Sequence, residues 1–121
     1  MKLSSIHQDK RGSVFAITDE DLGHPEVTIF TTNAGFARGG CIHTISDEYV
    51  CVISGEIEYV IGDTIHILRD GDSVIVPAGT PHYFTSWSFS VVQEWGATIA
   101  EKQEKHKEFR QIVDRINDST D

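Results

Sequence analysis

Apolar and polar residues alternate with short period over most of the first 95 positions. The runs VFAI (14–17), VTIFTT (27–32), CIHTI (41–45), YVCVIS (49–54), EIEYVI (56–61), TIHILR (64–69), SVIVP (73–77), HYFTSW (82–87) and SFSVVQEW (88–95) are rich in Val, Ile, Thr, Tyr and Phe. Such residues suit a pleated, half-buried surface, so each run predicts a strand. Turn residues separate them: Ser54-Gly55, Gly62-Asp63, Asp70-Gly71-Asp72 and Pro77-Ala78-Gly79-Thr80-Pro81. Gly62-Asp63 between two runs predicts a tight hairpin. About nine short strands at close spacing predict an all-β domain, a small antiparallel barrel or sandwich.

The period changes after Gly96. Residues 98–117 contain no Gly or Pro, and Phe109, Ile112, Val113 and Ile116 fall at i, i+3, i+4 and i+7. That spacing is one face of an amphipathic helix. Thr98 is placed to cap it, with Glu101 three residues on as in a capping box. The division expected is a β-barrel over 1–97 and a helix with tail over 98–121, its apolar stripe docked on the barrel.

Composition narrows the function. The chain has 121 residues and a net charge of −9, from 10 basic and 19 acidic residues. One domain with a true core fits that length. The acidic balance argues against a nucleic-acid partner. No apolar run reaches the ~18 residues of a membrane span, and the N-terminal stretch has no apolar leader core. The expectation is a cytoplasmic protein without a membrane partner. Two cysteines, Cys41 and Cys51, are too few for a disulfide framework.

The candidate chemistry sits in GGCIHTISDEYVCVISGE, residues 39–56. Cys41 and His43 are two apart, so on a strand they share a face. On the following strand Glu48, Val50 and Val52 share one face, and Tyr49, Cys51 and Ile53 the other. Two spacings in this region are distinctive. The first runs Gly35, five residues, Cys41-Ile42-His43, four residues, Glu48, six residues, Gly55. The second runs Gly71, five residues, Pro77-Ala78-Gly79, two residues, His82, three residues, Ser86. The pair resembles the two motifs of the cupin family, over 35–55 and 71–86. Cys41 stands where the first motif histidine belongs, and Ser86 where the second motif ends in Asn. The resemblance implies a jelly-roll β-barrel with the motif residues converging inside it.

In metal-binding cupins three imidazoles and a carboxylate hold the ion. By position the set here is Cys41, His43, Glu48 and His82. The resemblance implies a divalent metal, with zinc or iron preferred and nickel or manganese in the same range. A thiolate would favour zinc and softer ions, while a neutral thiol is a poor ligand. A metal-free cavity, in which His43, Glu48 and His82 bind one another or a ligand, stays open beside it. Phe84 and Ser86 follow His82 at period two and are expected to line the same cavity.

The stretch from Arg38 to His43 also resembles the Arg-Gly-x-His-Ala-His run of nucleotide-sugar ketoisomerases. That likeness implies a substrate-side role for Arg38, through its planar fork, and proton transfer by His43 and His82. The alternative for Arg38 is a solvated strand residue. His66 reads as surface or cavity lining, His7 and His24 carry no spacing argument, and His106 reads as part of a solvated helix face. Tyr83, Trp87 and Trp95 read as packing residues that could stack on a sugar. Three functions follow: a metal-dependent protein acting on a small sugar or organic acid, a metal-independent sugar isomerase or epimerase, or a non-catalytic binder. A homodimer is implied by analogy with cupins of this size.

Overall fold

The computed structural model describes residues 2–18, 27–97 and 101–120. Ten strands are present among them: β1 (Lys2–Asp9), β2 (Gly12–Thr18), β3 (Val27–Thr32), β4 (Ala37–Cys41), β5 (Glu48–Ser54), β6 (Ile57–Ile61), β7 (Thr64–Leu68), β8 (Ser73–Val76), β9 (His82–Ser86) and β10 (Ser90–Trp95). A helix, α1 (Lys107–Asp118), follows. The strands make two antiparallel sheets, ordered β1-β2-β3-β10-β5-β8 and β4-β9-β6-β7. The sheets face each other without joining into a closed ladder, giving the jelly-roll form of an all-β domain. Thr98 and His24 lie outside the described residues.

Alternation explains how the sheets face. Along β5, Glu48, Val50 and Val52 are buried while Tyr49 and Ile53 are exposed. Their inward neighbours Ile57, Tyr59, Ile61, Leu68, Val76, Phe84 and Val92 complete one apolar cluster between the sheets. Gly62 and Asp63 form the expected two-residue hairpin, with Ile61 opposite Thr64; Gly62 supplies the positive φ of 58°.

Three elements differ from the pattern reading. β1 was not anticipated; its polar, Ser-rich sequence pairs with β2 and hides little apolar surface. The strand expected at 41–45 is instead β4, ending at Cys41, so His43 lies in the loop beyond it. A register shift between Gly39 and Cys41 marks a bulge. The helix begins at Lys107, not near 98. Glu101–Gln103 is a single 3₁₀ turn, and His106 caps the helix by accepting from the Phe109 N–H at 3.3 Å.

The C-terminal segment closes the open edge of β4. The His106 N–H donates to the Gly40 carbonyl at 2.8 Å, the Ile42 N–H donates to the Glu104 carbonyl at 3.1 Å, and Cys41 bridges Lys105 in antiparallel fashion. Further along, the Asn117 amide mimics a neighbouring strand. Its Oδ1 accepts from the Ala37 N–H at 2.8 Å and its Nδ2 donates to the Ala37 carbonyl at 3.0 Å. An edge whose polar groups are satisfied in this way cannot template further pairing. The approach requires glycine: a Cβ on Gly40 would lie 2.7 Å from Arg110 Cα.

Candidate metal centre

His43, Glu48 and His82 bring three donor atoms within 4.8 Å of one another, all on buried residues. Each comes from a different local device. Glu48 opens β5 on its inward face, and His82 opens β9, opposite Ile61. His43 leaves the end of β4, where its ring is held by the Ser46 carbonyl at 2.8 Å from Nδ1. The Thr80 carbonyl lies 2.9 Å from Nδ1 of His82. A carbonyl can only accept, so both rings carry their proton on Nδ1 and turn Nε2 towards the centre. Both Nε2 atoms lie 3.7 Å from Glu48 Oε1, beyond hydrogen-bonding distance. His43 Nε2 and both Glu48 oxygens have no hydrogen-bond partner. Three electron-pair donors aimed at one point without a shared proton suit a cation, so the residues present fit a divalent metal.

The other oxygen of Glu48 has a different neighbour. Lys102 enters the interior from the 3₁₀ turn and sets its Nζ 2.8 Å from Glu48 Oε2, an ion pair without hydrogen-bond alignment. The same Nζ is 3.7 Å from Glu94 Oε1. Glu94 is inward on β10, opposite Val50. Burial would raise the Glu48 carboxyl, but His43, Glu94 and Lys102 together hold it below the usual carboxylate range. Burial and then the Glu48 charge push Glu94 well above that range. Glu48 is thus the ionised member and Glu94 the proton holder of the pair. Burial lowers His82, which keeps it neutral and able to donate an electron pair.

Cys41 is not in this cluster. The bulge and the end of β4 break the period-two relation that would have put it beside His43. Its thiol is buried and lies 3.7 Å from Lys105 Nζ. Burial raises its pKa despite Lys105, which favours the neutral thiol. Ser86 also falls outside the cavity lining: it is buried and shares a 2.6 Å hydrogen bond with Ser90. Phe84 does line the cavity, as does Arg38. Arg38 is 4% exposed, so it is not a solvated strand residue. It donates from Nε to Thr32 Oγ1 at 2.9 Å and from Nη2 to the Thr31 carbonyl at 3.0 Å.

The cavity holds about 640 Å³ and reaches Glu48, His82, Tyr59 and Phe84 at its inner end. That is an ordinary volume for a small-molecule site. Glu94, Lys102 and Tyr59 were missed by sequence reasoning. Period two along SVVQEW places Ser90, Val92 and Glu94 on one face, but Val91 and Trp95 make the other face equally apolar. Lys102 left no signal, because a lysine in a charged run reads as solvated.

Residues 30–88 match the family model described as the cupin domain. The chain carries a cupin domain over these residues, and its fold is that of the cupin superfamily. Among solved structures, this cupin resembles the capsular polysaccharide assembling protein CapF of Staphylococcus aureus, with a TM-score of 0.69 and 20% identity over 79% of this chain and 29% of CapF. The cupin domain of Cnp3 from Schizosaccharomyces pombe gives 0.65 and 15%, over 79% of this chain and 71% of that one. A variant of the oxalate decarboxylase OxdC of Bacillus subtilis gives 0.69 and 17%, over 78% and 27%. This cupin therefore spans less than a third of CapF and of the decarboxylase. No curated protein matches it. At such identities the likeness is one of fold. No helix among the described residues is long and apolar enough to cross a membrane.

Proposed function

We propose that this cupin binds a divalent metal ion through His43, Glu48 and His82, and receives a small polar molecule, a sugar or organic acid, in the adjoining cavity. The observation that carries the reading is the convergence of two Nε2 atoms and a carboxylate oxygen, with both Nδ1 positions pinned by backbone carbonyls. Imidazole and carboxylate donors suit zinc or iron, with nickel and manganese also in range. When bound, such an ion supplies Lewis acidity towards a ligand oxygen. The chain's own residues set the surroundings. Tyr59 and Phe84 form an apolar wall, Lys102 balances Glu48, and Glu94 holds a proton behind it. The names of CapF and of oxalate decarboxylase point to polar, oxygen-rich small molecules, which supports the ligand class by analogy alone.

Lys102 favours a second reading. Its ammonium already neutralises Glu48 without a metal, leaving a metal-free pocket in which His43 and His82 carry protons during isomerisation or epimerisation of a sugar. Calorimetric titration of chelator-stripped protein with zinc separates the two. The first reading expects one zinc per chain in the wild type and none in Glu48→Gln. Absence of binding by zinc, ferrous iron, nickel and manganese alike would remove it and leave the second.

A further inference from the structure

We propose that the molecule taken into this cavity is an anion, and that Arg38, Lys105 and Arg110 seat its carboxylate or phosphate group. The inference rests on the reading of the cavity as the ligand site, but not on the metal. Charge is distributed unevenly in this protein. Among the described residues, the cavity is lined by five of the chain's 10 Lys and Arg (Arg11, Arg38, Lys102, Lys105 and Arg110) and by two of its 19 Asp and Glu (Glu48 and Glu94). A chain with net charge −9 has gathered half its cations around one cavity.

Local pairing accounts for only part of that charge. Arg11 is held by Asp9, with Nη2 2.6 Å from Oδ2, and Lys102 answers Glu48. Glu94 faces Lys102 as well, at 3.7 Å. Arg38 has no ion pair within 4.0 Å among the described residues; its hydrogen bonds go to a hydroxyl and a carbonyl. Burial, and then repulsion from Arg11, pull its pKa down to about 10. The Nζ of Lys105 lies 3.7 Å from the Cys41 thiol. Arg110 pairs through Nε with Asp114, itself largely exposed, at 3.2 Å. Three cations thus face the cavity with weak or no compensation, and for Arg38, which is buried, such a charge is costly until an anion meets it.

Their placement is built into the backbone. Lys105 bridges Cys41, and Arg110 donates from Nη1 to the Gly39 carbonyl at 2.9 Å, so both are tied to the strand that carries Arg38. Guanidinium groups offer the paired donors that carboxylate and phosphate accept. The anionic group would sit beside β4, with the rest of the molecule reaching inward towards His82 and Tyr59.

The test uses protein stripped of metal and dialysed free of chelator, so it does not depend on the metal reading. Inorganic phosphate, succinate and neutral glucose are titrated calorimetrically into wild type, Lys105→Gln, and Lys105→Gln combined with Arg110→Gln. At least one anion is expected to bind at a single site, with glucose giving no comparable signal. The double variant should bind it about tenfold or more weakly. Phosphate alone would point to phosphorylated ligands, succinate alone to carboxylates, and both to either group. Lys105 is exposed, so Lys105→Gln tests the idea even if the double variant does not fold. No binding of either anion at about 10 mM, or affinity unchanged in Lys105→Gln and in any folded double variant, would overturn the proposal.

Discussion

The inner face of β5 and the segment from Glu101 to Asp118 meet at one ion pair, Glu48 with Lys102, yet their sequences inform very differently. On β5 a single rule, period two, tells which residues face the interior, and Glu48 follows from it together with Val50 and Val52. In the C-terminal segment the 3.6-residue rule holds only from Lys107 onward. Before it, a 3₁₀ turn and a bridging residue obey neither period, and there the chain sends a lysine into the interior. A regular element advertises its buried face. An irregular strap placed by backbone hydrogen bonds to a neighbouring strand does not.

That contrast can be broken at several points. The largest effect is expected from Lys102→Met, which leaves the buried Glu48 carboxylate without its ammonium partner. Loss of one partner of a buried ion pair should cost roughly 3 kcal/mol, read by chemical denaturation. Zinc should restore part of it, because a cation on the far side of Glu48 replaces the missing charge. Failure of zinc to stabilise this variant more than the wild type would mean that Lys102 and the metal do not share the carboxylate.

Gly40→Ala attacks the joint between strap and strand. The residue has a φ of +79°, and the new Cβ would meet Arg110 Cα at 2.7 Å. A loss of about 2 kcal/mol is expected, again by denaturation. An unchanged stability would show that α1 does not need this close approach.

A smaller effect concerns pH. Glu94 has a raised folded pKa, so its contribution improves as pH falls through that value towards the ordinary carboxyl value near 4.5. Glu48 has a lowered folded pKa, so its contribution is complete above about 4.5 and is lost as pH falls further towards its folded value. The wild type minus Glu94→Gln difference should therefore tilt towards the wild type on acidification to about pH 4.5. A flat difference between pH 7 and that point would contradict the protonated state of Glu94. The smallest effect is expected from Cys41→Ser, which should change stability by about 1 kcal/mol or less and leave zinc stoichiometry alone.

Much of the fold was legible because the strands alternate and the turns are punctuated. Val27–Thr32 matches its predicted run end for end, and Gly62-Asp63 is the hairpin it suggested. The meeting of His43, Glu48 and His82 was an expectation of the resemblance to the two cupin motifs, and the three side chains do converge. The position of Cys41 was not legible, because two adjacent glycines with positive φ displace the register just before it. β1 was missed since its polar residues carry no strand pattern, and its pairing is supplied by β2. Ser86 keeps its predicted face, but Ser90 takes its hydroxyl, and the cavity ends at Phe84. Glu94 shows the remaining gap: alternation names two faces without saying which is inside when both are apolar.

The most direct measurement is metal content after zinc reconstitution, by plasma mass spectrometry, for the wild type, His82→Ala and Cys41→Ser. The account predicts one zinc per chain in the wild type and in Cys41→Ser, and none in His82→Ala. Zinc retained by His82→Ala, or lost in Cys41→Ser, would contradict the placement of the centre at His43, Glu48 and His82; a wild type that takes up no zinc would contradict zinc as its ion.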